Sequence, residues 1–263
     1  MMPLDDAYAN AAYIAGAETF PPKWEAAAAA FRDGLGARAE SGVSYGTSDR
    51  QVFDFFNTSE TSKGTVVFVH GGYWKAFDRS SWSHLAAGPL AAGWSVAMPS
   101  YDLCPEVRIS QITRQIAQAI QAIGARTAGP LVLAGHSAGG HLVSRMLDPA
   151  ILPDDLRARI LRVAPISPVA DLLPLLETSM NEILRLDEEE ARVESPTRMP
   201  PPDAATVRVW VGAEERPVFI EQAEALARAW GIENNIVPGK HHFDVIDALE
   251  DAQSDLVRFL TAT

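Results

Sequence analysis

Cysteine is almost missing from this chain: Cys104 is the only one in 263 residues. No intramolecular disulfide and no cysteine metal cluster can form, and a reducing compartment fits. Cys104 stands before Pro105 in a loop-like stretch without a basic partner beside it, so it reads as packing and not as a nucleophile. Positive charge is also short: 22 basic residues face 34 acidic ones, a net charge of −12. The average surface therefore repels phosphate backbones and anionic headgroups, so neither nucleic acid nor a membrane is an expected partner. No stretch is long and apolar enough to cross a bilayer, and the start, MMPLDDAYANAAY, lacks the basic opening and apolar run of a secretion signal. The expectation is a cytoplasmic protein.

Fixed-period repeats and linkers are absent as well, and the proline-rich ESPTRMPPPD (194–203) separates elements, not domains. With 47% apolar residues, the chain reads as a single domain over 1–263. The acidic run Asp187 to Glu190 has no histidine or cysteine near it and reads as a solvated helix start, not a metal site.

Strand and helix patterns alternate from about residue 51. Gln51 to Asn57, Thr65 to Val69, Ser95 to Met98, Leu131 to Ala134, Leu161 to Ile166, Val207 to Val211 and Asn235 to Pro238 read as strands. Between them Ser80 to Ala92, Arg108 to Ile123, Pro217 to Trp230 and Ser254 to Leu260 read as helices, the second with isoleucines at intervals of three and four along one face. Such alternation predicts βαβ units and an α/β fold: a mostly parallel central sheet with helices on both faces. Trp24 to Arg38 reads as an alanine-rich helix before any strand. The N-terminal segment, 1–45, is expected to cover the active-site mouth, and 167–203 to form a helical and loop insertion.

The sharpest chemical signal is LVLAGHSAGG (131–140), a buried strand running into G-x-S-x-G and then a helical pattern. A serine on a tight strand-to-helix turn has an exposed hydroxyl and a strained backbone, and glycines two positions either side leave room for the approaching chains. A chance glycine-rich turn also matches that pattern, but the flanking strand and helix favour a nucleophile at Ser137. Upstream, His70-Gly71-Gly72-Tyr73-Trp74 follows the strand at Thr65 to Val69. Alone it could be an ordinary glycine turn; ahead of a nucleophile elbow, the amides of Gly71, Gly72 and Ala138 become candidates for an oxyanion hole. His70 precedes the serine and reads as a residue that holds this loop. A carboxylate is required after a late strand, and Glu214 and Glu215 compete for the place. A general base must come from a loop at the end of the last strand, where His241 and His242 both qualify; His242 is preferred because Phe243 beside it could anchor the loop. Lys240, His241, His242 and Asp244 make a weak metal set. His84, His136 and His141 read as ordinary, partly buried residues.

HGGYW, GHSAGG, GAEE and HHF in this order resemble the kynurenine formamidase branch of the α/β-hydrolases, near the hormone-sensitive-lipase-like esterases. The resemblance spans nearly the whole chain, including the stretch from Tyr8 to Arg32, YDLCP at 101–105 and the segment ending in Ser195-Pro196. It implies Ser137 as nucleophile, His242 as base and Glu215 as acid, since the acid in those families sits three residues beyond Gly212; many relatives carry aspartate there. It also implies no cofactor, a small-molecule substrate, a narrow acyl pocket for a formyl group and an aromatic pocket to which Tyr73 and Trp74 contribute. The bland alternative is that these two aromatic residues pack the loop against the core. A homodimer is compatible with the sequence. Two rival functions share the pattern: a general short-chain carboxylesterase and a non-catalytic, hydrolase-like binding module.

Overall fold

A computed structural model describes residues 2–262. The β-branched and apolar runs become one eight-stranded sheet among the described residues, in the order β1-β2-β4-β3-β5-β6-β7-β8. Its strands are β1 (Ala39–Ser44), β2 (Val52–Phe56), β3 (Thr65–Val69), β4 (Ser95–Pro99), β5 (Leu131–His136), β6 (Ile160–Ile166), β7 (Thr206–Gly212) and β8 (Glu233–Val237). β1 pairs with β2, and β2 with β4, antiparallel; every later pairing is parallel. The last six strands in the chain therefore end at one rim.

Period-two alternation decides what lies on each face of the sheet. Val67, Val69, Leu131, Leu133 and Val209 point into one core, against α3 (Ile109–Arg126), α4 (Ala138–Arg145) and α8 (Pro217–Trp230). Val66, Phe68, Val132, Ala134 and Trp210 point into the other, against α1 (Phe20–Leu35) and α9 (Asp255–Thr261). α3 shows the helical counterpart: Ile109, Ile112, Ile116, Ile120 and Ile123 are all fully buried on its apolar stripe.

Three departures from the sequence reading have local causes. β1 is an added strand, AESGVS, too polar to stand out because it is a largely solvent-facing edge. The expected helix at Ser80 to Ala92 is broken into 3-10 turns at Arg79–Ser81 and Ser83–Ala86 and one α-helix, α2 (Ala87–Ala91). Trp82 leaves helical geometry there, at φ −122° and ψ 2°, to pack on Trp24 at 4.7 Å between ring centroids. The acidic run does open a helix, with the Asp187 side chain accepting from the Glu190 amide, but Glu190 is buried and paired with Arg108 rather than solvated. That helix, α7 (Glu188–Val193), follows the short α5 (Asp154–Arg157) and α6 (Asn181–Leu184); α6 and α7 fill the connection between β6 and β7.

Replacing Ile116 with alanine removes side-chain volume from a closed core and should cost about 2–5 kcal/mol in urea unfolding. Glu188→Ala, on the exposed α7 surface, should stay within about 0.5 kcal/mol. Equal losses for the two variants would contradict this packing.

Candidate active site

Ser137 lies between β5 and α4 at φ 55° and ψ −115°, a positive-φ conformation that residues other than glycine seldom adopt. Its neighbours explain why the turn holds. A Cβ on Gly139 would lie 1.9 Å from the Val69 carbonyl oxygen, and one on Gly135 would lie 2.2 Å from the Gly139 carbonyl. Only glycine lets β3, β5 and α4 approach this closely. The Ser137 amide donates to the Ile166 carbonyl at 2.8 Å, tying the turn to β6.

The loop after β3 comes alongside. A Cβ on Gly71 would meet the His136 carbonyl at 2.8 Å, and Gly72 takes φ 106°. Among the described residues no protein group accepts from the amides of Gly71, Gly72 or Ala138. His70 holds this loop: its ring stacks on Tyr101 at 4.5 Å, its Nδ1 faces the Gly71 carbonyl at 2.8 Å, and the Tyr101 hydroxyl donates to the His70 carbonyl at 2.9 Å. Burial pulls the His70 pKa down from 6.5 to about 4, so the ring is neutral at physiological pH.

The acid and the base come from β7 and β8. His242 Nδ1 donates to Glu215 Oε2 at 2.6 Å. Because an ionised carboxylate only accepts, this fixes the proton on Nδ1 and leaves Nε2 as a proton acceptor. The other carboxylate oxygen accepts from the Gly212 amide at 2.8 Å and from the Ser167 hydroxyl. Glu214 is exposed, which separates the two glutamates, and His241 turns toward Asp244 and Phe20. The His242 ring is packed between Phe219, at 4.3 Å, and His136, at 4.6 Å. Burial, and then the nearby His242, hold His136 well below its ordinary pKa, so it serves as a neutral wall.

Ser137, His242, Gly71 and Gly72 all line one cavity of about 320 Å³. The two residues expected to recognise substrate part here. Tyr73 lines the cavity, while its hydroxyl donates to the Tyr8 carbonyl at 2.8 Å. Trp74 does not: it is fully buried in the core, edge-on to His141 at 5.1 Å. Both residues have positive φ, 50° and 55°, and this double turn swings Trp74 inward. The expectation that Trp74 forms a substrate wall is therefore corrected.

Part of the wall comes from the N-terminal segment, and Phe77, Trp82 and Phe243 were not picked out from the sequence as cavity residues. Residues 8–12 of the N-terminal segment line the mouth with Trp24. They are tied down by an Arg216–Asp6 ion pair at 2.8 Å and by the Ser179 amide donating to Asp5 at 2.6 Å. Phe77, Trp82 and Phe243 complete an aromatic side, with Phe243 against Trp24 at 5.4 Å between centroids. Ser167 was missed too; its place directly after β6, at the rim where the other site residues sit, was the available signal. Cys104 is buried, and burial pushes its thiol up to about 12, leaving it inert.

A family model described as "Alpha/beta hydrolase family" matches residues 66–258. Kynurenine formamidase of Salmo salar is 30% identical over 235 residues, covering 83% of this chain and 79% of its own. The Drosophila melanogaster kynurenine formamidase is 30% identical, covering 80% and 77%. Among solved structures, a protein of Silicibacter sp. TM1040 provisionally called a thioesterase superposes with a TM-score of 0.98 at 58% identity, with both chains fully covered. A carbohydrate esterase from gut microbiota shares the fold, at TM-score 0.70 and 15% identity over 86% of this chain and 96% of its own.

Glu215→Gln should lower kcat roughly 10³- to 10⁴-fold, by analogy with loss of the orienting acid in serine hydrolases, while Glu214→Gln changes it less than about twofold. Initial rates on 4-nitrophenyl acetate measure both, and comparable losses would reject the assignment. Acid should also weaken the fold. Burial lowers His70 to about 4 and His141 to about 3, both from 6.5. Below 6.5 the unfolded chain binds protons that the folded chain refuses, so stability is present above that pH and falls as pH drops toward 4. Urea midpoints should decline from about pH 7.5 to about pH 5; a flat or rising profile would contradict the neutral burial of these rings.

Proposed function

The chain belongs to the alpha/beta hydrolase family, and on that premise we propose that it hydrolyses aryl formamides such as N-formylkynurenine through an acyl-enzyme on Ser137. One observation carries the reading: a carboxylate-oriented imidazole, a serine on a positive-φ turn and unpaired loop amides share one cavity with an aromatic side.

In this reading His242 Nε2 takes the proton of the Ser137 hydroxyl as Oγ attacks the formyl carbon. Charge developing on the carbonyl oxygen is met by the amides of Gly71, Gly72 and Ala138. Collapse breaks the C–N bond; the imidazolium returns its proton to the departing arylamine, leaving formyl-Ser137. Water, deprotonated by His242, then attacks the ester and releases formate. The products are one arylamine and one formate per water consumed. Glu215 acts throughout by holding the Nδ1 proton and stabilising the imidazolium, and Ser167 and the Gly212 amide hold Glu215. Aromatic walls at Trp24, Trp82 and Phe243 favour a flat leaving group over an alkyl one. A cytoplasmic location goes with this reading.

The same machinery serves esters and thioesters, and the 58% identical neighbour carries a thioesterase name, so the leaving group is what has to be tested. Parallel kcat/KM values for N-formylkynurenine and 4-nitrophenyl acetate should favour the formamide by roughly tenfold or more. Ser137→Ala should lower both by about 10³-fold or more. A strong preference for the ester would overturn the formamidase reading in favour of a general carboxylesterase; no turnover of either would favour a binding module.

A further inference from the structure

Two polar side chains in the cavity have no part in the acyl transfer. Asn10 is 7% exposed, and its carboxamide oxygen is buried without a hydrogen-bond partner. A buried acceptor left without a donor is unfavourable, and a donor on a bound molecule would satisfy it. Asn10 lines the cavity, and its carboxamide oxygen can accept from a donor bound there. Its position is firm, because Tyr8 is held through its carbonyl by the Tyr73 hydroxyl and Asp6 by Arg216.

The second is Lys75, half-buried on the same cavity. Among the described residues it forms no ion pair, although this chain carries an excess of acidic groups and most of its arginines are matched to one. Lys75 sits on the turn that closes the oxyanion loop, its amide donating to the Gly72 carbonyl at 3.0 Å. The cavity is thus lined by a cation with no ion-pair partner and by an acceptor with no donor among the described residues.

We propose that these two residues read an α-amino-acid group on the leaving side of the substrate, Lys75 pairing with its carboxylate and Asn10 accepting from its ammonium. The proposal rests on the acyl-transfer reading above and adds to it the two side chains that would distinguish the far end of the substrate. It assigns specificity to a residue of the N-terminal segment, which contributes no chemistry, and to the first charged side chain after the oxyanion loop.

Selectivity ratios test it and do not depend on the fraction of enzyme that is folded. N-formylkynurenine is compared with N-formylkynuramine, which lacks only the carboxylate, and with the deaminated analogue, which lacks only the ammonium. Lys75→Met should reduce the kcat/KM preference for N-formylkynurenine over N-formylkynuramine roughly tenfold, mainly through KM, and Lys75→Arg should restore most of it. Asn10→Ala should reduce the preference over the deaminated analogue roughly fivefold. If the wild type hydrolyses all three substrates but the variants leave these ratios unmoved, this inference fails and the acyl-transfer reading stands. If the wild type hydrolyses none of them nor 4-nitrophenyl acetate, that reading fails and this inference with it.

Discussion

The closest backbone approach at the site, Gly139 against the Val69 carbonyl with room for no side-chain carbon, is the constraint from which the rest of the site follows. It brings the ends of β3 and β5 and the start of α4 into contact. Beside this contact Ser137 takes a positive φ, and the loop after β3 comes alongside it with the amides of Gly71 and Gly72 unspent among the described residues. A second close approach, Gly212 against the Lys240 carbonyl, does the same for the other half of the site. It brings the loop after β7 to the loop after β8, so that Glu215 reaches His242. Parallel strand order supplies the remaining condition, since only parallel strands deliver all these loops to one rim.

Around this frame the charges are arranged by burial. His136, His70 and His141 are kept neutral by the low-dielectric interior, which leaves His242, bonded through Nδ1 to Glu215, as the imidazole placed for proton transfer in the cavity. The aromatic side of the cavity is built separately, from α1, the broken helix at residues 79–91 and Phe243. Substrate preference can therefore vary while the proton-transfer machinery stays fixed.

The parts legible in the sequence were those in which local pattern and tertiary role agree. Thr65 to Val69 and Leu131 to Ala134 read as buried strands because both faces are covered, and G-x-S-x-G read as an elbow because its glycines answer a steric demand between adjacent elements. The family resemblance put Glu215 before Glu214, but local pattern left both open, since two adjacent carboxylates at a strand end differ only in which one turns inward. Trp74 was misassigned because sequence shows an aromatic pair but not two successive positive-φ residues, which send one ring to the cavity and the other to the core. β1, and the way the N-terminal segment is fastened, were obscured for another reason. Their order comes from long-range partners, Phe53 to Phe56 for β1 and Arg216 and Ser179 for the segment, and no local periodicity reports such contacts.

The central claim is that one hydroxyl, at residue 137, becomes the covalent acyl carrier when an imidazole removes its proton. A fluorophosphonate reacts with such a hydroxyl in the same way and stays attached, so intact-mass and peptide mapping after labelling test the claim most directly. The account predicts a single adduct on the peptide containing Ser137, absent in Ser137→Ala and strongly slowed in His242→Ala. An adduct on another residue, or full labelling that survives the loss of either side chain, would contradict it.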